Sequence, residues 1–223
     1  MKVILFGATG MVGQSVLREC LLDQDVESIL VIGRSSTGQQ HKKLQELIRA
    51  DISSLADIPG RFQGYDACFY CLGASSAGMS EADYRSVTFD LTLSVATTLS
   101  KLVPAMTFIY VSGMGTDATE QGRSMWARVK GETENALQRL PFKAAYMFRL
   151  GALQPLQGIR SKTPIYNLLY TALWPLLTPL RAVFPNFVTT SEQLGRAMIA
   201  VAKRGAPKAV LETRDINKQG GVS

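Results

Sequence analysis

The chain has 223 residues, 46% hydrophobic and 19% charged, with 24 Lys and Arg against 18 Asp and Glu for a net charge of +6. A chain of this size buries about 70% of its extended surface, so it needs no disulfide or metal staple, and its hydrophobic content excludes a disordered protein. The excess charge sits at the end: residues 1–150 hold 15 basic and 15 acidic side chains, residues 151–223 hold 9 and 3. Those late basic residues are scattered, without aromatic interleaving or a reading helix, which argues against a nucleic-acid partner. The single histidine, His41, lies in a polar stretch and excludes a multi-histidine metal site.

In chain order, residues 2–6 form a short apolar run ending in glycine, a strand too brief to be a signal peptide. Residues 11–22 carry Val12, Val16, Leu17 and Leu21 at helical spacing. Residues 28–32 give a second strand, 47–52 a weaker third and 65–72 a strong fourth. A long helix is expected over 81–102, stopped by Pro104, and a fifth strand over 106–112. Residues 123–140 read as a second long helix ended by Pro141, and 144–150 as a sixth strand. Alternating strands and helices predict an α/β fold, a doubly wound, mostly parallel sheet of the Rossmann type. The core spans 1–151 of a single domain, with a C-terminal apolar helical cap over about 152–216. Ligands of such sheets bind outside the carboxyl ends of the strands, where the strand order reverses.

Residues 7–13 spell G-x-x-G-x-x-G at the end of the first strand and open a helix, the context in which a glycine triplet carries meaning. Gly7, Gly10 and Gly13 allow a tight turn and close approach, and the free N–H groups of a helix N-terminus attract a pyrophosphate. Thr9, Met11 and Val12 belong to the same loop. About 20 residues on, where a carboxylate would hold a ribose hydroxyl of NAD(H), stands Arg34. A guanidinium forks onto a 2′-phosphate, so NADP(H) is preferred over NAD(H). Ser35 and Ser36 add hydroxyls there, and Lys42 or Lys43 further charge. A solvated loop arginine is the plainer alternative. Cys68 and Cys71 have C-x-x-C spacing inside a strand, which turns them to opposite faces. With Cys20 they read as inert thiols suited to a reducing cytoplasm.

The glycine pattern resembles the atypical short-chain dehydrogenase/reductases, NAD(P)-binding Rossmann proteins, over nearly the whole chain. Ala50-Asp51-Ile52 looks like the family's adenine-contacting Asp-hydrophobic pair. Cys71-Leu72-Gly73-Ala74 matches the place where the fourth strand opens beside ribose and nicotinamide. Ile109-Tyr110-Val111-Ser112 is similar to the strand ending in the catalytic-region serine. Phe148-Arg149-Leu150-Gly151 resembles an Arg-Pro-Gly turn with Leu150 replacing proline. Arg128-Val129-Lys130-Gly131-Glu132 is similar to a Lys-Gly-Glu segment of the branch with NmrA-like and Tat-interacting-protein-like members.

The resemblance implies Ser112 and Lys130 as catalytic residues, Lys130 also holding ribose, although Lys130 could instead be a helix charge paired with Glu134. Active members place a tyrosine four residues before that lysine; here it is Trp126, whose indole does not titrate usefully. Two outcomes are open. An NADP(H)-dependent oxidoreductase with a nonstandard proton donor would act on an unknown small carbonyl, alcohol or sugar-like substrate. Its proton would come from Tyr84, Tyr110, Tyr146 or water, Tyr84 being preferred because it starts a long helix near the site. Alternatively the chain is a non-catalytic NADP(H)-binding regulator with a protein partner.

Residues 163–180 carry no charge, but Pro164, Pro175 and Pro179 argue against a transmembrane span. A lid over the substrate, a partner face or a membrane-surface element all fit that stretch. Thr189-Thr190-Ser191-Glu192 caps a helix reaching about Arg204, residues 209–213 suggest a last strand, and the polar tail 217–223 is expected to fray. Long exposed helices of this kind often pair, which allows for a homodimer.

Overall fold

The computed structural model describes residues 1–157 and 186–221. Seven parallel strands form one sheet: β1 (Lys2–Phe6), β2 (Ser28–Gly33), β3 (Leu44–Ile48), β4 (Ala67–Tyr70), β5 (Thr107–Val111), β6 (Ala144–Arg149) and an edge strand at Val210–Glu212. In space they run β3-β2-β1-β4-β5-β6 and then the late edge strand. The order reverses between β1 and β4, the switch point of a doubly wound Rossmann sheet.

The sheet is buried on both faces because its strands are apolar without alternation. Val3 and Leu5 of β1 enter one core layer with Val16, Leu17 and Cys20 of α1 (Met11–Leu22). Ile4 and Phe6 enter the opposite layer with Val95 and Leu99 of the helix at Leu91–Leu102 and Leu137 of the helix at Met125–Gln138. Cys68 joins the second layer while Cys71 packs on the first, so the C-x-x-C thiols do face opposite ways.

Two expectations change in substance. The third strand covers 44–48 rather than 47–52, because parallel pairing sets Leu44 beside Ile29 and Ile48 beside Gly33. The helix expected over 81–102 is interrupted: α2 (Glu81–Arg85) passes through a π turn at Ser86–Asp90 into α3 (Leu91–Leu102). Such an insertion leaves an apolar pattern almost intact and is therefore hard to read from spacing. α4 is Met125–Gln138.

The largest correction concerns the end of the chain. β7 (Ala152–Gln154) pairs in parallel with β8 (Val188–Thr190). α5 (Ser191–Arg204) starts with a capping box between Thr190 and Gln193 and packs Leu194, Ala197, Met198 and Val201 into the same layer as α1. β9 (Val210–Glu212) then completes the sheet. α6 (Thr213–Gly220) follows, although residues from 217 on were expected to fray. It is held by fully buried Ile216 and by Asn217, whose side-chain amide donates to Val188 O at 2.8 Å. A Cβ on Gly220 would stand 1.9 Å from Gln193 O, so α6 lies directly on α5. Residues 186–216, expected within a cap, and 217–220, expected in a fraying tail, thus build core. Residues 158–185 of the expected cap, with the uncharged stretch 163–180, lie outside the described residues. Among the described residues no helix is long and apolar enough to cross a membrane.

Candidate functional site

At the switch point a cleft of about 390 Å³ opens over the carboxyl ends of β1, β2 and β4. The loop after β1 contributes Gly7, Ala8, Thr9, Gly10 and Met11; the end of β2 contributes Val31 to Ser35; the segment after β4 contributes Cys71, Leu72, Gly73 and Ser75. Ile52 closes one side.

Gly7 has φ +80°, and a Cβ there would fall 2.6 Å from Cys71 O. Only glycine fits both demands. Gly10 donates its N–H to Gly7 O at 2.9 Å and caps α1 through backbone alone, with no side-chain cap and no acidic residue in the first turn. The first N–H groups of α1 are left for an anion. Gly13 does not line the cleft: a Cβ there would stand 2.1 Å from Gly7 O, so its function is to let α1 lie against the loop. Val12 likewise packs toward the core rather than the cleft.

Cations around the β2 end are sorted by their partners. Lys43, expected to add charge for a phosphate, instead donates to Leu21 O and Asp23 O at the end of α1. Arg49 forks onto Asp57 at 2.8 and 2.7 Å. Arg34 is exposed, lines the cleft and makes no ion pair or hydrogen bond with a described residue. Ser36 also leaves the expected set, because its hydroxyl donates to Glu46. Asp51 stands outside the lining, turned to accept from the backbone and hydroxyl of Ser53, which hold its carboxyl below the usual range. Its neighbour Ile52 is the member of that pair inside the cleft.

The expected catalytic residues gather at the end of β5, beyond the lined cleft. Ser112 is buried and donates to Glu134 Oε1 at 2.6 Å. Glu134, fully buried, is forked by Arg149 through Nη2 at 2.6 Å and Nε at 3.1 Å. Arg149 also reaches Glu212 at 3.3 Å. This chain of partners was not read from the sequence, because its members come from α4, β5, β6 and β9. Lys130, one turn before Glu134, makes no ion pair with a described residue, so the helix pair weighed as its alternative role is not formed. Burial lowers the Lys130 ammonium to about 8, against the opposing charge of Glu134. Its Nζ and the Trp126 ring lie 4.0 and 3.8 Å from where a Cβ on Gly113 would stand. Gly131 allows the 113–122 loop to touch α4, since a Cβ there would meet Asp117 O at 1.8 Å.

The tyrosines considered as proton donors turn away. Tyr84 and Tyr110 are each 1% exposed, and burial pushes both phenols up. Tyr84 faces inward because Arg85 and Glu81 bind Glu132 and Arg128, holding α2 against α4. The Tyr146 hydroxyl accepts from Ala206 N at 3.1 Å. Ala74 is exposed outside the lining, and Leu150 is buried with its carbonyl bonded by Met114 N at 2.9 Å. Among the described residues no cluster of His, Cys, Asp and Glu could hold a metal.

A family model described as NAD(P)H-binding matches residues 7–143. Protein HTATIP2 of Rattus norvegicus is 28% identical over 156 residues, which cover 68% of this chain and 62% of the rat protein. "Protein fmp52-2, mitochondrial" of Aspergillus oryzae is 25% identical over 224 residues, 97% of this chain and 95% of that protein. Among solved structures, the Bordetella bronchiseptica enzyme WbmF in complex with NAD+ superposes with a TM-score of 0.65 at 14% identity, covering 97% of this chain and 76% of that one. DesIV, a dTDP-glucose 4,6-dehydratase from Streptomyces venezuelae with NAD and TYD bound, gives 0.68 at 12% identity, covering 99% and 80%. At such identities the structural likeness concerns the fold.

Proposed function

The chain belongs to the NAD(P)H-binding Rossmann family, among the atypical short-chain dehydrogenase/reductases, and from that premise we propose that it is an NADP(H)-dependent oxidoreductase with an altered proton donor. The observation that carries the cofactor choice is Arg34, the cation of the cleft without a partner among the described residues, while Lys43 and Arg49 are engaged. The glycine loop and the first N–H groups of α1 would hold the pyrophosphate, and Arg34 with Ser35 the 2′-phosphate. When bound, NADPH supplies a hydride. The proton for the resulting alkoxide comes from Lys130, whose ammonium is lowered to about 8 by burial and so loses a proton near neutral pH. The amine left behind recovers its proton from water. Trp126 cannot do this, Tyr84 and Tyr110 lie buried, and the half-buried Tyr146 hydroxyl is bonded to Ala206 N. Ser112 and Arg149 hold Glu134, which keeps that carboxylate from pairing with Lys130.

Substrates of this reading are small carbonyls, alcohols or sugar-like compounds. Three unbridged thiols fit a reducing cytoplasm. One observation favours a second reading, a non-catalytic NADP(H) sensor: the Ser112 hydroxyl is committed to Glu134 rather than free for a carbonyl. The test is nicotinamide fluorescence with NADPH and NADH, followed by a panel of aldehydes, quinones and nucleotide sugars. Arg34→Ala weakens NADPH by about 10- to 100-fold, the value of a charge-assisted contact, with NADH unchanged. Trp126→Tyr raises NADPH oxidation with any carbonyl that reacts. Tight NADPH binding with no turnover by either protein across the panel selects the sensor.

A further inference from the structure

We propose that Glu46 is a positioning residue for cofactor choice: it clasps the loop after β2 so that Arg34 and Ser35 alone face a 2′-phosphate. The inference rests on the NADP(H) reading above and adds a residue that does not itself meet the cofactor.

Glu46 stands on β3 opposite Val31, three residues before Arg34. A carboxylate so close to a phosphate site would repel the ligand if aimed at it. It is not so aimed. Oε2 accepts from Ser36 Oγ at 2.6 Å, and Oε1 accepts from Thr37 N at 2.7 Å and Thr37 Oγ1 at 2.6 Å. The two hydroxyls in turn accept from the next backbone: Gly38 N reaches Ser36 Oγ at 3.0 Å, and Gln39 N reaches Thr37 Oγ1 at 3.2 Å. Five hydrogen bonds therefore tie residues 36–39 to one carboxylate and to each other. Against the cost of burial, the Ser36 and Thr37 donors hold the Glu46 carboxyl below its usual range, so the clasp stays ionised.

Three consequences follow from that geometry. The negative charge is answered by donors on the loop side and is turned away from the cleft. The hydroxyls of Ser36 and Thr37, otherwise natural phosphate donors, are spent. The chain segment carrying Arg34 is anchored at both ends, by the clasp and by Arg49 N donating to Gly33 O at 2.9 Å. An arginine on an anchored segment loses less freedom on binding than one on a loose loop.

The experiment measures NADPH and NADH affinity of the full chain, with adenosine 2′,5′-bisphosphate and ADP as competitors, for Glu46→Ala and Glu46→Gln. Glu46→Ala removes the clasp and weakens NADPH and adenosine 2′,5′-bisphosphate about 5- to 10-fold, the scale of lost preorganisation, while NADH and ADP stay within about twofold. Glu46→Gln keeps most NADPH affinity, because the amide oxygen still accepts from Thr37 and the amide nitrogen donates to Ser36 Oγ. Unchanged NADHbinding also shows that the alanine variant is folded. An alanine variant that binds NADPH as well as the parent overturns the inference, as does one that binds it more tightly. Equal loss for both dinucleotides overturns it too. If the parent chain binds NADH as well as NADPH, the NADP(H) reading falls and the inference with it; a preserved preference with an indifferent Glu46→Ala removes the inference alone.

Discussion

Lys130 and Glu134 are separated by one helical turn, a spacing that reads as an ordinary surface ion pair. The fold breaks the pair by giving Glu134 better partners. Arg149 forks onto it from β6 and Ser112 donates from the end of β5, so a buried carboxylate is satisfied without the lysine. Lys130 then carries the cost of burial with little relief, which lowers it from 10.5 to about 8. The sign for stability follows. Below pH 8 the ammonium is charged in both folded and unfolded chains, and the burial cost is fully present. Between about 8 and 10.5 the folded chain holds fewer protons than the unfolded one, so stability gains with rising pH. Lys130→Met is accordingly more stable than the parent at pH 7, by on the order of 1–2 kcal/mol after allowance for partial exposure. The gap closes toward pH 10 in thermal or urea melts. A methionine variant that is less stable at pH 7 would mean that the lysine is paired after all. Glu134 behaves oppositely: Glu134→Ala leaves Arg149 only the longer pair with Glu212 and costs about 3 kcal/mol.

Elements differ in how much of them could be read ahead. β1, α1 and β2 keep their expected bounds to within a residue, because a strand buried on both faces is continuously apolar and glycines punctuate each end. The glycine loop was legible for the same reason, though its three glycines turn out to serve different contacts. Gly7 supplies positive φ, Gly10 ends the turn, and Gly13 supplies room for α1. Gly13→Ala places a methyl 2.1 Å from Gly7 O. Backbone rather than a movable side chain must yield, so the variant loses about 1–3 kcal/mol of stability together with most NADPH affinity. Calorimetry and nicotinamide fluorescence on the same sample check both. If stability falls and affinity does not, the pyrophosphate is not held by this loop. β3 was misplaced because it is a half-exposed edge whose apolar residues are few, and the π turn at Ser86–Asp90 was invisible because one inserted residue barely disturbs helical spacing.

At the scale of the whole molecule, the C-terminal region belongs to the fold as much as to any site. α5 and α6 cover the face of the sheet that α1 leaves open, and β9 extends the sheet beside β6. Ending the chain after Glu212 removes α6, with Ile216 and the close contact of Gly220 on α5. Burial of one isoleucine is worth about 1.5–3 kcal/mol, so the shortened chain melts several degrees lower. An unchanged melting temperature would show α6 to be an ornament. By itself the sequence determined the doubly wound class, the glycine cradle, the basic residue at the end of β2 and the absence of a tyrosine at Trp126, since these depend on local spacing and residue type. Only the tertiary structure decided which cations stay free, where the tyrosines point and which partners Glu134 and Glu46 take. Those outcomes depend on side chains from distant strands competing for the same few hydrogen-bonding atoms, and no local pattern in a chain records the result of that competition.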